Sequence, residues 1–155
     1  MAEKINISPS QDEKYMLLAL EKARKAESED EVPVGAVIVR NGEVIASAYN
    51  TREYGKNALY HAEIKAIDEA CKKLGGWRLV GCTMYVTLEP CPMCAGAIIN
   101  ARIERVVWGA PDHKAGAFGT MINLTDYPLY KPEIVSGVLK DDCAKILSDF
   151  FKKKR

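Results

Sequence analysis

Thr83-Met84-Tyr85-Val86-Thr87-Leu88 runs without a break into Glu89-Pro90-Cys91-Pro92-Met93-Cys94-Ala95-Gly96-Ala97, and the junction between the two halves decides how this chain is read. Met84, Val86 and Leu88 alternate with Thr83, Tyr85 and Thr87, the two-residue period of a strand. Pro90 and Pro92 end that strand, because proline has no N–H to give to a sheet ladder. Ala95 to Ala101 predicts the helix that follows. Two cysteines are therefore delivered to one spot, Cys91 in the turn and Cys94 at the helix start.

Outward from this junction the elements alternate. Ser10-Gln11-Asp12-Glu13 has the form of a capping box, and Met16, Leu20, Ala23 and Ala26 recur behind it at helical spacing to about residue 27. Val34 to Val39 and Glu43 to Tyr49 are β-rich runs joined by Asn41-Gly42, a pair that tolerates the positive φ of a tight hairpin. His61, Ile64, Ile67, Cys71 and Leu74 mark a second helix that Gly75-Gly76 closes. Ile103 to Trp108 predicts a strand, Gly109 to Gly119 a glycine-rich functional loop, and Ile134 to Val138 a short strand. Asp141-Asp142 open a last helix with Cys143, Leu147, Phe150 and Phe151 on its inner face. The order predicts one sheet with helices packed on it, a three-layer α/β domain.

A chain of 155 residues suits one domain covering 1–155. Basic and acidic side chains number 22 and 21, a formal charge of +1, which argues against a broad phosphate-binding face. The basic cluster Lys152-Lys153-Lys154-Arg155 reads either as cations at a helix C-terminus or as a nucleic-acid contact. Nothing near Met1 resembles a secretory segment, and no stretch approaches the ~18 apolar residues of a membrane span. A reducing, cytoplasmic compartment follows, where Cys-x-x-Cys means metal or redox chemistry before it means a disulfide. Cys71, Cys82 and Cys143 read as small buried thiols.

His61-Ala62-Glu63 supplies what the cysteine pair lacks. One histidine and two cysteines make three zinc ligands, and a site short of a fourth keeps a position open for water, as catalytic zinc sites do. His61 and Cys94 both stand at predicted helix starts, whose positive ends favour thiolates. Glu63 lies two positions past His61, off its face of the helix, so it is free to carry protons instead of binding metal. Three plainer readings compete: a redox-active Cys91–Cys94 pair, a His61 that merely satisfies a helix end, and a closed structural site completed by His113.

The H-x-E…P-C-x-x-C pattern is a signature of zinc nucleobase deaminases. With Val32-Pro33-Val34-Gly35-Ala36-Val37, Asn50, Trp77-Arg78-Leu79 and Tyr85 to Ala97, the chain resembles the bacterial tRNA-specific adenosine deaminases from about residue 12 to Phe151. The resemblance implies a cytidine-deaminase-like domain, with a mixed central sheet and helices on both faces. It implies one Zn2+ per chain on His61, Cys91 and Cys94, with Glu63 as the catalytic proton carrier. It also implies a purine pocket with Val34 as an apolar wall, Asn50 as a hydrogen-bond partner and the Ala62 backbone beside them. Asp112 and Lys114, in the loop after Gly109-Ala110-Pro111, would contact a tRNA anticodon stem-loop, and one of Phe150 and Phe151 would pack near the nucleotides. A homodimer is implied by the family alone.

The reaction so implied is hydrolytic deamination of adenosine to inosine with release of ammonia. The alternative is a free-base or nucleoside deaminase of guanine, adenine or cytosine type on the same zinc site. The region Tyr127-Pro128-Leu129-Tyr130-Lys131-Pro132 favours that alternative, since it lacks an Asn-His pair many tRNA-acting relatives carry. A zinc-stabilised RNA-binding module is a third reading, which the carboxylate of Glu63 argues against.

Overall fold

Why the strands carry apolar residues on both sides becomes clear from what covers them. In the computed structural model, which describes residues 8–154, the order is α1 (Pro9–Ser28), β1 (Gly35–Arg40), β2 (Glu43–Tyr49), α2 (Ala62–Leu74), β3 (Cys82–Leu88), α3 (Pro92–Asn100), β4 (Arg105–Ala110), a 3₁₀ turn (Leu124–Asp126), β5 (Glu133–Ser136) and α4 (Lys140–Lys153). Ala36, Ile38, Met84, Val86, Val106 and Trp108 pack with Ala62, Ala66 and Ala70 of α2 and Ile98 and Ile99 of α3. Val37, Val39, Tyr85 and Val107 point the other way, against Tyr15, Met16, Ala19 and Leu20 of α1 and Cys143 of α4. The expected three layers, α/β/α, are present. Among the described residues no helix is long and apolar enough to cross a membrane.

The sheet order is β2-β1-β3-β4-β5. β1 runs antiparallel to β2 and β3, while β3, β4 and β5 are parallel, giving the mixed sheet expected. The register pairs Gly35 with Tyr49, Ala36 with Val86 and Leu88 with Ala110. The start of β1 and the ends of β2, β3 and β4 therefore share one edge, and in sheets with parallel strands ligands gather at such carboxyl ends.

Several boundaries differ from the sequence reading. The N-cap of α1 is Ser8, not Ser10: Gln11 N donates to Ser8 Oγ (3.4 Å) and Ser8 N to Gln11 Oε1 (2.9 Å). Pro9 at the first helical position needs no N–H partner, so the helix starts before the sequence box. α3 likewise opens at Pro92, placing Cys94 inside its first turn. β4 begins at Arg105, because Ile103 N is held by Ile98 O in the turn that ends α3. Gly109 and Ala110 thus belong to the strand, and Gly109 has no room for a Cβ beneath Cys143 and Thr87 O. The hairpin at Asn41-Gly42 has the expected positive φ values, 51° and 74°. Cys82 and Cys143 are buried as expected, whereas Cys71 is half-buried.

Asp12, inside α1, is buried and accepts both guanidinium nitrogens of Arg105 (2.8 and 2.7 Å) and the Tyr85 hydroxyl (2.7 Å). The ion pair with Asp12 raises the already high pKa of Arg105 further, and burial pushes Tyr85 above its usual range. Asp12→Ala leaves the buried guanidinium only the exposed Glu133, 3.8 Å away, so it is expected to cost about 3–5 kcal/mol in urea unfolding. A loss below ~1 kcal/mol would mean water already screens the pair.

Candidate active site

The N-termini of α2 and α3 converge on the shared sheet edge. His61 is the N-cap of α2 and Cys91 that of α3, and neither uses its side chain to cap its helix. His61 Nδ1 lies 3.7 Å from Cys91 Sγ and 3.5 Å from Cys94 Sγ, and the three ligand atoms all fall within 4.8 Å of one another. Bonds of ~2.3 Å to sulfur and ~2.0–2.1 Å to nitrogen at tetrahedral angles put N and S about 3.5–3.6 Å apart, so the donor set fits a zinc ion. Glu63 and His113 stand outside the cluster. Among the described residues these three ligands have no fourth, the arrangement of an open site, and His113 does not close it.

The electrostatics fit the same use. The Cys94 thiol donating to Cys91, and then His61, hold Cys91 down at about 4 despite burial. Cys94 is driven up as the proton-holding partner of the pair and by its own burial. The contact with Cys91 in turn raises His61. Burial pushes the Glu63 carboxyl up to about 7, its own backbone N–H opposing and Cys91 adding to the rise. Two adjacent thiols cannot both ionise cheaply without a cation, whereas a divalent ion between them reverses that balance.

The cluster opens on a cavity of about 550 Å³. Val34, Asn50, Ala62 and Asp112, all expected to meet substrate, line it together with His61, Glu63 and Cys91. Asn50 is held by its own backbone surroundings, donating to Val32 O (3.2 Å) and accepting from Arg52 N (3.1 Å). One N–H and one lone pair of its amide remain for a ligand. Asp112 Oδ1 accepts from Lys114 N (2.9 Å) and Ala115 N (3.1 Å), a turn that leaves Oδ2 free. Ala62 sits in the first turn of α2, whose N–H groups have no partner within the helix.

The two phenylalanines separate. Phe150 is buried, while Phe151 is exposed and lines the cavity, so Phe151 leaves the inner face expected of it. Leu147 of α4, expected only as part of that helix's inner face, and Arg52, which the sequence did not single out, also line the cavity. Arg52 follows β2 by only three residues, and Leu147 belongs to the apolar stripe of α4. Lys154, in the basic end, pairs with Asp30 (2.5 Å), while Arg155 lies outside the described residues.

Known proteins share this arrangement. Residues 9–110 match the family described as the cytidine and deoxycytidylate deaminase zinc-binding region. The chain is 54% identical over 148 residues to the tRNA-specific adenosine deaminase of Bacillus subtilis (strain 168), covering 94% of this chain and 92% of that protein. A solved structure from a study of A-to-I editing by tRNA:A34 deaminases at the wobble position of transfer RNA superposes with a TM-score of 0.84. It is 45% identical, over 86% of this chain and 99% of that one. The guanine deaminase of Bacillus subtilis is more distant: TM-score 0.62 and 32% identity, over 71% of this chain and 81% of that one.

Proposed function

This chain belongs to the zinc-binding cytidine and deoxycytidylate deaminase family and, within it, to the tRNA-specific adenosine deaminases, and from that premise we propose that it converts adenosine to inosine at the wobble position of a tRNA anticodon. The observation that carries the chemistry is the His61–Cys91–Cys94 cluster with Glu63 buried in the same cavity but outside the ligand set. When bound, zinc supplies a Lewis acid that lowers the pKa of water from ~15.7 toward ~7.

Glu63 does the proton work. It takes a proton from the attacking water and passes it to the ring nitrogen as C6 is attacked, then takes the remaining proton from the new C6 hydroxyl and gives it to the departing amine as the C6 carbonyl forms; adenosine and water become inosine and ammonia. Val34 and the engaged Asn50 amide flank the base, and the Ala62 segment offers N–H groups. The target must leave any base stack to enter, which suits a nucleotide of a hairpin loop.

Oligomeric state and setting are part of the same proposal. α3 carries no charged residue, yet Pro92, Gly96 and Asn100 are exposed on it and Met93 is half-buried, and an uncharged accessible helix face supports a homodimer. A tRNA substrate and unpaired thiols support a cytoplasmic setting for this one deaminase domain. The lower likeness to a guanine deaminase supports tRNA over a free base.

The test is ammonia release from an anticodon-loop hairpin with adenosine at the wobble position, compared with adenosine, adenine, guanine and cytidine. The hairpin is the expected substrate. Efficient deamination of a free base, with the hairpin untouched at low salt, would replace this assignment with a small-molecule deaminase on the same zinc site.

A further inference from the structure

Two carboxylates outside the metal cluster are buried to 1% exposure each, Glu31 before β1 and Glu89 after β3. Among the described residues neither forms an ion pair. Burying an unpaired carboxylate is costly unless its oxygens are fully hydrogen-bonded. Here the donors come from two loops. Glu31 accepts from Glu53 N (2.9 Å) and Tyr54 N (2.6 Å), in the loop after β2. Glu89 accepts from Asp112 N, Phe118 N and Thr120 N, each at 3.1 Å, and from the Thr120 hydroxyl, in the loop after β4. Gly116 is packed so closely on Glu89 and Asp112 O that no Cβ fits there.

Both loops form the rim of the cavity. Arg52 lines it immediately before Glu53, while Asp112, His113 and Lys114 line it from the other loop. In the order β2-β1-β3-β4, the ends of β2 and β4 are three interstrand spacings apart, about 14 Å at ~4.8 Å each. The rims thus stand on opposite sides of the base pocket, each with a cation. Arg52 lies 4.0 Å from Glu53 and is half exposed, a loose pair that leaves its guanidinium available. With a formal charge of only +1, phosphate recognition has to rest on a few well-placed cations.

We propose that Glu31 and Glu89 are positioning residues that hold the two rims, Arg52 on one side and Asp112 to Lys114 on the other, at a fixed separation for the sugar-phosphate backbone of the RNA. Glu31 lies outside the cavity lining, and Glu89, which borders the cavity, has both carboxylate oxygens taken by loop donors. Each fixes backbone amides, and through them the groups that touch substrate, much as outer-shell partners orient metal ligands. The inference rests on the RNA reading above, and the test separates the two.

Glu31→Gln and Glu89→Gln keep size while turning one acceptor into an NH2 that faces amide donors. Amide exchange should then speed at least ~10-fold at Glu53 and Tyr54 in the first variant, and at Asp112, Phe118 or Thr120 in the second, because a buried donor has lost its acceptor. On the anticodon-loop hairpin, KM should rise about tenfold or more while kcat stays within about threefold and zinc content is unchanged, the signature of lost preorganisation. Thr120→Val removes one donor and keeps the carboxylate, so it serves if Glu89→Gln does not fold; KM should rise in the same direction, but less. Unchanged KM in these variants, a fall in kcat alone, or loss of zinc would overturn the proposal. A wild-type protein inactive on the hairpin would instead remove the RNA reading, and with it the role given to the rims.

Discussion

Glu63→Ala keeps its zinc and loses deamination by at least ~10²–10⁴-fold, the range expected for one general acid-base group. The loss should exceed the lower bound because the same carboxylate picks up and delivers both protons of the attacking water in turn. Metal retention follows from geometry: Glu63 is outside the cluster that His61, Cys91 and Cys94 form. The alanine also removes a buried carboxyl whose burial already disfavours its charged form, so folding should not suffer. Zinc content by atomic absorption, set beside single-turnover rates, reads both sides. Zinc lost in proportion to activity would make Glu63 a ligand and refute the assignment.

Cys91→Ser and Cys94→Ser are expected to abolish both metal and activity, from a wild type carrying about one zinc per chain. A serine hydroxyl is a far poorer zinc ligand than a thiolate, and two remaining ligands do not hold the ion. Both variants should also unfold at lower temperature, because zinc bound to the native state alone stabilises it by mass action. Added zinc should raise the melting temperature of the wild type stripped by chelator and leave both serine variants unmoved. A metal-free protein with full activity would dismantle the whole reading.

The metal site was legible because its ligands sit in short contiguous motifs at element junctions. The strand before Glu89 and the prolines after it place Cys91 and Cys94 without tertiary knowledge, and His61 falls at the start of a periodic helix. The layering was legible for a similar reason, since residues of two-residue and 3.6-residue period have to bury their apolar sides. What stayed hidden depends on neighbours far away in sequence. Glu31 follows Glu29 and Asp30 and looks like part of a solvated acidic turn, yet two amides 22 and 23 residues on draw it inside. Glu89 appears as a flank of the cysteine motif, and nothing local tells that it gathers a loop ending at Thr120. Phe150 and Phe151 are chemically identical neighbours, and only the packing of α4 turns one to the core and the other to the cavity.

The Asp12–Arg105 pair joins positions 93 residues apart, and that span has a meaning on the ribosome. At a synthesis rate of ~5–20 residues per second, roughly 5–20 s pass between the emergence of Asp12 and that of its partner. The strands β1 and β3 that α1 covers are made within that interval, but its aspartate has no counter-charge until the interval ends. The apolar stripe of α1 can dock once β1 and β3 are made, and the ion pair locks that docking only when β4 arrives.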